Sequence, residues 1–204
     1  MFQNTLFETN TNNYFTYPYM YLGGGVAAGD FNNDGLEDLF FTGNMVPNKL
    51  YINKGNLEFE DISKTAGIEG DQRWYSGVTL IDINKDGYLD IYCSVAGENE
   101  PQNNVLYLNN QDNTFKEVAK DYGIDDNGYS MHSTFFDYDK DGDLDPIEKF
   151  FDDDLGARIP EGAVKHVVDG RQRVGRKAFD SRSHLFRKTS QERLGKQSRI
   201  AGSL

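Results

Sequence analysis

Cysteine is almost missing from this chain: Cys93 is the single one in 204 residues. An internal disulfide framework is therefore excluded, and Cys93, set in the run Ile-Tyr-Cys-Ser-Val, reads as a small buried apolar residue. Histidine is scarce as well, and His132, His166 and His184 show neither zinc-ligand nor catalytic-triad spacing. No lysine or arginine precedes Lys49, and the opening MFQNTLFETNTNNYF lacks the apolar stretch of a secretory signal peptide. No apolar run approaches the roughly 20 residues of a membrane-spanning helix. The expectation is either an intracellular protein or a fragment without its leader. Basic charge is also short, with 21 Lys and Arg against 33 Asp and Glu and a net charge of -12. Phosphate binding needs a basic face, so a nucleic-acid partner is not expected.

What charge there is lies unevenly. Arg73 is the one arginine before residue 146, and the other arginines crowd the C-terminal stretch, where no asparagine occurs. So sharp a change in composition marks a boundary after Asp145. It divides the chain into a lead-in segment (1–21), an acidic repeat region (22–145) and a divergent basic tail (146–204) expected to be poorly ordered.

The acidic region repeats itself. Gly25 opens GVAAGDFNNDGLEDLFFTGN, Gly77 opens GVTLIDINKDGYLDIYCSVAG, and His132 opens HSTFFDYDKDGDLDPIEKF. After the first two comes a second matched block, NKLYINKGNLEFEDISKTAGI from Asn48 and NVLYLNNQDNTFKEVAKDYGI from Asn104. Leu50 answers to Leu106, Tyr51 to Tyr107, Asn53 to Asn109, and Gly67 to Gly123. Short apolar, β-branched or aromatic runs alternate with Asn, Asp and Gly clusters, which predicts strands rather than long helices. SKTAG and AKDYG each predict one helical turn closed by glycine. Four short strands in roughly 50 residues is the plan of a β-propeller blade. The fold class expected is all-β, with two full blades and the start of a third, followed by an irregular or partly helical tail.

Each repeat carries a nine-residue acidic loop, beginning at Asp30, Asp82 and Asp137. Oxygen side chains stand at positions 1, 3, 5 and 9, and glycine stands at position 6 in all three. A hard cation such as Ca²⁺ takes six to eight oxygens at about 2.3–2.6 Å, and glycine at position 6 permits the sharp reversal around it. The candidate ligands are Asp30, Asn32, Asp34, the Leu36 carbonyl and Asp38 in the first loop. In the second they are Asp82, Asn84, Asp86, the Tyr88 carbonyl and Asp90. In the third they are Asp137, Asp139, Asp141, Asp143 through its carbonyl, and Asp145. Up to three Ca²⁺ ions are expected. Two carboxylates ~5 Å apart at an effective dielectric of ~20 repel by roughly 3 kcal/mol, a cost that a divalent ion reverses. The plainer alternative is a set of solvated Asp-Gly hairpin turns. An EF-hand is the rival calcium reading: the third loop places Glu148 at its twelfth position, whereas the other two place Phe41 and Cys93 there.

With loops, LYxN blocks and FxDI-xxxAGI blocks in this order, residues 22–145 resemble the FG-GAP/VCBS repeat family. The blades are similar to those of the integrin α-chain propeller and of bacterial VCBS-repeat proteins of the ASPIC/UnbV-associated type. The resemblance implies a seven-bladed-type propeller, Ca²⁺ in the blade hairpins, and an extracellular or cell-envelope location. It brings no catalytic residue. The chain departs from the family after Asp145, where Pro146 is expected to interrupt the ladder. Residues 146–204 read as out-of-frame or unrelated sequence, with weak helical patterns near 163–168 and 183–195. Open blade edges are expected to favour self-association.

Function then divides between a calcium-dependent module for adhesion or for binding surface glycan or protein, and an accessory or catalytic propeller acting on polysaccharide. An EF-hand-like sensor is the third alternative. Trp74, Tyr75 and the tyrosines of TYPYMYLGG are either a sugar-binding platform or packing between blades.

Overall fold

The computed structural model describes residues 2–71, 73–96, 102–137, 140 and 144–150. The expectations for the tail past residue 150 lie outside that set. A short 3₁₀ turn at Pro18–Leu22 leads into β1 (Val26–Gly29), β2 (Asp38–Phe41), β3 (Lys49–Asn53) and β4 (Phe59–Asp61). After the helical turn α1 (Ser63–Ala66), the plan repeats as β5 (Tyr75–Ile81), β6 (Asp90–Val95), β7 (Val105–Asn109) and β8 (Phe115–Glu117). A second turn, α2 (Ala119–Tyr122), precedes β9 (Ser130–Phe136) and β10 (Asp145–Phe150). The strands form two four-stranded antiparallel meanders, β1-β2-β3-β4 and β5-β6-β7-β8, and a β9-β10 hairpin. The fold is all-β.

Register repeats along with sequence. Leu39 pairs with Tyr51 and Tyr51 with Asp61, as Ile91 pairs with Tyr107 and Tyr107 with Glu117. Both helical turns end on a left-handed glycine, Gly67 at φ 74 and Gly123 at φ 68, a conformation glycine adopts without Cβ strain. The isoleucine that follows, Ile68 or Ile124, is then turned fully inward.

The core lies between sheets rather than within one. Phe40, Leu50 and Ile52 of the first sheet, with Ile68 after α1, pack with Ile91, Cys93, Val105 and Tyr107 of the second. Across the other face, Ile81, Tyr92, Leu106 and Ile124 pack toward Phe135 of β9. The Tyr92 and Phe135 rings meet edge to face at 5.1 Å. Position in the stack explains the burial patterns: β3 alternates, while every residue of β6 is buried because sheets cover both its faces. Each fully buried Leu, Ile or Phe side chain contributes about 1.5–3 kcal/mol.

Glycine sets the spacing of the blades. A Cβ on Gly25 would stand 2.7 Å from the Val78 nitrogen, and one on Gly77 would stand 2.5 Å from the Met131 carbonyl oxygen. The first strand of each blade thus lies directly against the backbone of the next. Hydroxyls bridge the same seam, with Ser76 donating to the Ser130 carbonyl and Thr79 to the Ser133 carbonyl, both at 2.6 Å.

Two expectations are corrected here. The ladder does not stop at Pro146: β10 pairs with β9 through Pro146↔Phe135 and on to Phe150. Among the described residues β10 has one strand neighbour, and a strand with one side unpaired tolerates the missing N–H. The EF-hand alternative fails at the same place, because Glu148 pairs with Ser133 in a strand where that motif requires a helix.

The aromatic platform divides too. Tyr17, Met20 and Trp74 form a buried cluster, the Tyr17 and Trp74 rings meeting at 5.4 Å, while Tyr17 donates to the Ala96 carbonyl. Tyr75 is buried between blades. These side chains are packing, and Tyr21 is left exposed.

Candidate metal centre

Every acidic loop closes a hairpin at the same register. Gly29 pairs with Asp38, Ile81 with Asp90 and Phe136 with Asp145, so position 9 opens the second strand each time. Position 2 is the anchor: Phe31 and Ile83 are buried beneath their loops. Position 4 is left-handed throughout, with Asn33 at φ 57, Lys85 at φ 59 and Lys140 at φ 64. Gly35 and Gly87 at position 6 both have φ 86, so two left-handed residues wind the chain into a tight curl.

That curl gathers oxygens. In the first loop the Asp34 N–H donates to Asp30 Oδ1 at 3.0 Å and to Asn32 Oδ1 at 3.1 Å. The Gly35 N–H donates to Asp30 Oδ2 at 2.7 Å and the Leu36 N–H to Asp34 Oδ1 at 2.9 Å. The second loop matches it bond for bond. Asp86 N–H meets Asp82 Oδ1 at 3.0 Å and Asn84 Oδ1 at 3.1 Å, Gly87 N–H meets Asp82 Oδ2 at 2.9 Å, and Tyr88 N–H meets Asp86 Oδ1 at 2.9 Å. Oxygens from positions 1 and 3 thus share a single donor. The Asn32 and Asn84 amides donate to Asp34 and Asp86 Oδ2 at 3.0 and 2.9 Å.

Position 9 is held by other backbone donors than those of the curl. Asp38 is fully buried and accepts the N–H of Phe31 at 2.9 Å and of Asn53 at 2.8 Å, one on each oxygen. Asp90 does the same for Ile83 at 3.0 Å and Asn109 at 2.8 Å. Burial raises the Asp38 pKa, although those two N–H groups oppose it, and the neighbouring Asp34 and Asp30 charges add to the rise. Burial likewise pushes Asp90 up to about 6, against the pull of the Asn109 and Ile83 N–H groups. For Asp86 burial also works upward, but bonds from Tyr88, Asn84 and Gln111 outweigh it and leave the pKa lowered.

Among the described residues no group of three or more His, Cys, Asp or Glu side chains converges as a metal cluster. The loop donor set differs from such a cluster: two carboxylates, one amide oxygen and a main-chain carbonyl from positions 1, 3, 5 and 7, backed by the buried position-9 carboxylate. It is made of oxygen alone, and its curl is already fixed by the bonds above. These residues fit a hard divalent cation. Of the third loop, Asp137, Lys140, Leu144 and Asp145 are described, whereas Asp139, Asp141 and Asp143 lie outside the described residues.

Sequence reasoning missed Asn53 and Asn109. Besides holding position 9, Asn53 Nδ2 donates to the Glu37 carbonyl at 3.0 Å and Asn109 Nδ2 to the Leu89 carbonyl at 3.1 Å. The signal was the pairing of each of the first two acidic loops with a following LYxN block.

Two copies of the FG-GAP-like repeat match this chain, over residues 30–93 and 94–146. The chain belongs to the FG-GAP-like repeat family. Repeats of this family make propeller-type ligand-binding modules, and no helix among the described residues is long and apolar enough to cross a membrane. Over 102 residues the FG-GAP-like chain is 35% identical to Cartilage acidic protein 1 of Xenopus tropicalis, covering 48% of this chain and 15% of that protein. Over 72 residues it is 36% identical to Cartilage acidic protein 1 of Homo sapiens, covering 35% of this chain and 11% of that protein. The match spans a small part of these relatives' length.

Proposed function

We propose that this protein is a Ca²⁺-binding blade module that serves adhesion or ligand binding at a cell surface, with a glycan or protein as partner. The observation that carries the reading is the duplicated loop. Two segments of different sequence arrive at the same all-oxygen curl, with the same left-handed positions and the same buried position-9 brace. Asp30, Asn32, Asp34 and the Leu36 carbonyl would hold one ion, and Asp82, Asn84, Asp86 and the Tyr88 carbonyl a second. Asp38 and Asp90, each braced by two backbone N–H groups, would close these two sets. Asp137 and Asp145 belong to a third. When bound, the ion would supply positive charge that offsets the repulsion among the loop carboxylates.

Similarity to proteins named for cartilage supports an extracellular setting. A glycan array read with Ca²⁺ and with chelator tests the partner class. Spots bound only with Ca²⁺ are expected. Equal binding under both conditions would separate recognition from the loops.

A further inference from the structure

We propose that Asn33 couples the first two acidic loops, so that cation binding in one raises affinity in the other. This rests on the calcium reading above and concerns how its sites act together. Asn33 occupies position 4 of the first loop, and its Nδ2 donates to the Gly87 carbonyl of the second loop at 3.1 Å. That carbonyl belongs to the peptide unit joining Gly87 to Tyr88. The N–H of the same unit donates to Asp86 Oδ1 at 2.9 Å. One peptide plane is therefore held at its oxygen by the first loop and at its nitrogen by a candidate ligand of the second. Accepting a bond at the oxygen polarises the peptide and strengthens the donor at its far end. The next carbonyl along the chain is that of Tyr88, the main-chain member of the second donor set.

A second strap joins the same loops. Asn109 Nδ2 donates to the Phe31 carbonyl of the first loop at 2.8 Å, as well as to Leu89 of the second, while its own N–H braces Asp90. Asn53, its counterpart one blade earlier, gives its Nδ2 to Glu37 within its own blade. So the second loop is tied to the first both at position 6 and, through Asn109, at positions 8 and 9.

Position 4 is the natural transmitter. Asn33 is flanked by Asn32 and Asp34, both in the first donor set, and it holds a left-handed φ that asparagine tolerates better than most side chains. An ion held by positions 3 and 5 would stiffen the conformation that already aims the amide at Gly87. Lysine stands at position 4 of the other two loops and lacks the short planar amide. One hydrogen bond between loops corresponds to a coupling of about three- to tenfold in affinity, and the factor is the same in both directions.

Calorimetric titration of the whole 204-residue chain with Ca²⁺ tests this, with Asp34→Ala and Asp86→Ala used to assign heat to each loop. Asn33→Gly keeps the left-handed backbone without strain and deletes only the amide. It is expected to weaken the second loop about three- to tenfold. In an Asp34→Ala background, where the first loop no longer orders, the same change is expected to have no further effect. If both loops take up Ca²⁺ and Asn33→Gly leaves the second unchanged, coupling is overturned and the calcium reading stands. No heat in the unaltered protein removes both. If Asp34→Ala does not fold, comparing Asn33→Gly with the unaltered chain decides alone.

Discussion

Within one acidic loop, carboxylates four positions apart have opposite surroundings. Asp34 and Asp86 stand on the curl among exchangeable polar groups, whereas Asp38 and Asp90 are buried and each takes two backbone N–H groups. Asp90→Asn replaces one acceptor oxygen with an NH₂ that faces a donor. Orphaning that buried N–H should cost about 1–3 kcal/mol in chemical denaturation without metal. Asp61 gives a pH-dependent test. Burial raises its pKa, but bonds from Ser63 and Lys49 outweigh that and leave it lowered, with Lys49 Nζ at 2.9 Å. A folded pKa below the unfolded value adds stability that is present above the unfolded pKa and is lost as pH falls through the folded one. Asp61→Asn should therefore be less stable than the unaltered chain at neutral pH, and the gap should close in acid. A constant gap would contradict the assignment. The oxygen pattern at positions 1, 3, 5 and 9 was legible in the sequence because it recurs with glycine at position 6 in all three loops. The left-handed position 4 was not, since lysine at 85 and 140 carries no local preference for φ > 0.

At the scale of elements, the glycines opening each blade make the sharpest prediction. Gly77→Ala would put a methyl 2.5 Å from a backbone oxygen that cannot swing aside. About 1–3 kcal/mol of destabilisation is expected, and Gly25→Ala should behave alike. A neutral result at Gly77 would mean that the blades are less tightly apposed than described. Strands and helical turns were legible because their signals are local, as Ala66-Gly67-Ile68 and Tyr122-Gly123-Ile124 show. Neighbours were not legible. Alternation in β3 marks a buried face, yet nothing in its letters says that β6 is covered on both sides. Pro146 was misread for the same reason, because only the sheet order shows that β10 has one strand neighbour among the described residues.

Over the whole molecule, the blades form a stack in which loops, hydroxyl bridges and core side chains all cross from one sheet to the next. A ligand that orders the loops should therefore stabilise the assembly as a unit. At 100 times the dissociation constant, each occupied site adds about 2.7 kcal/mol, so Tm should rise with Ca²⁺ and fall with chelator. The direct measurement is the calorimetric titration of purified protein with Ca²⁺, read alongside the melting curve. At least two sites should release or absorb heat, with one lost in Asp34→Ala and another in Asp86→Ala. An unchanged Tm and no heat at millimolar Ca²⁺ would contradict the account.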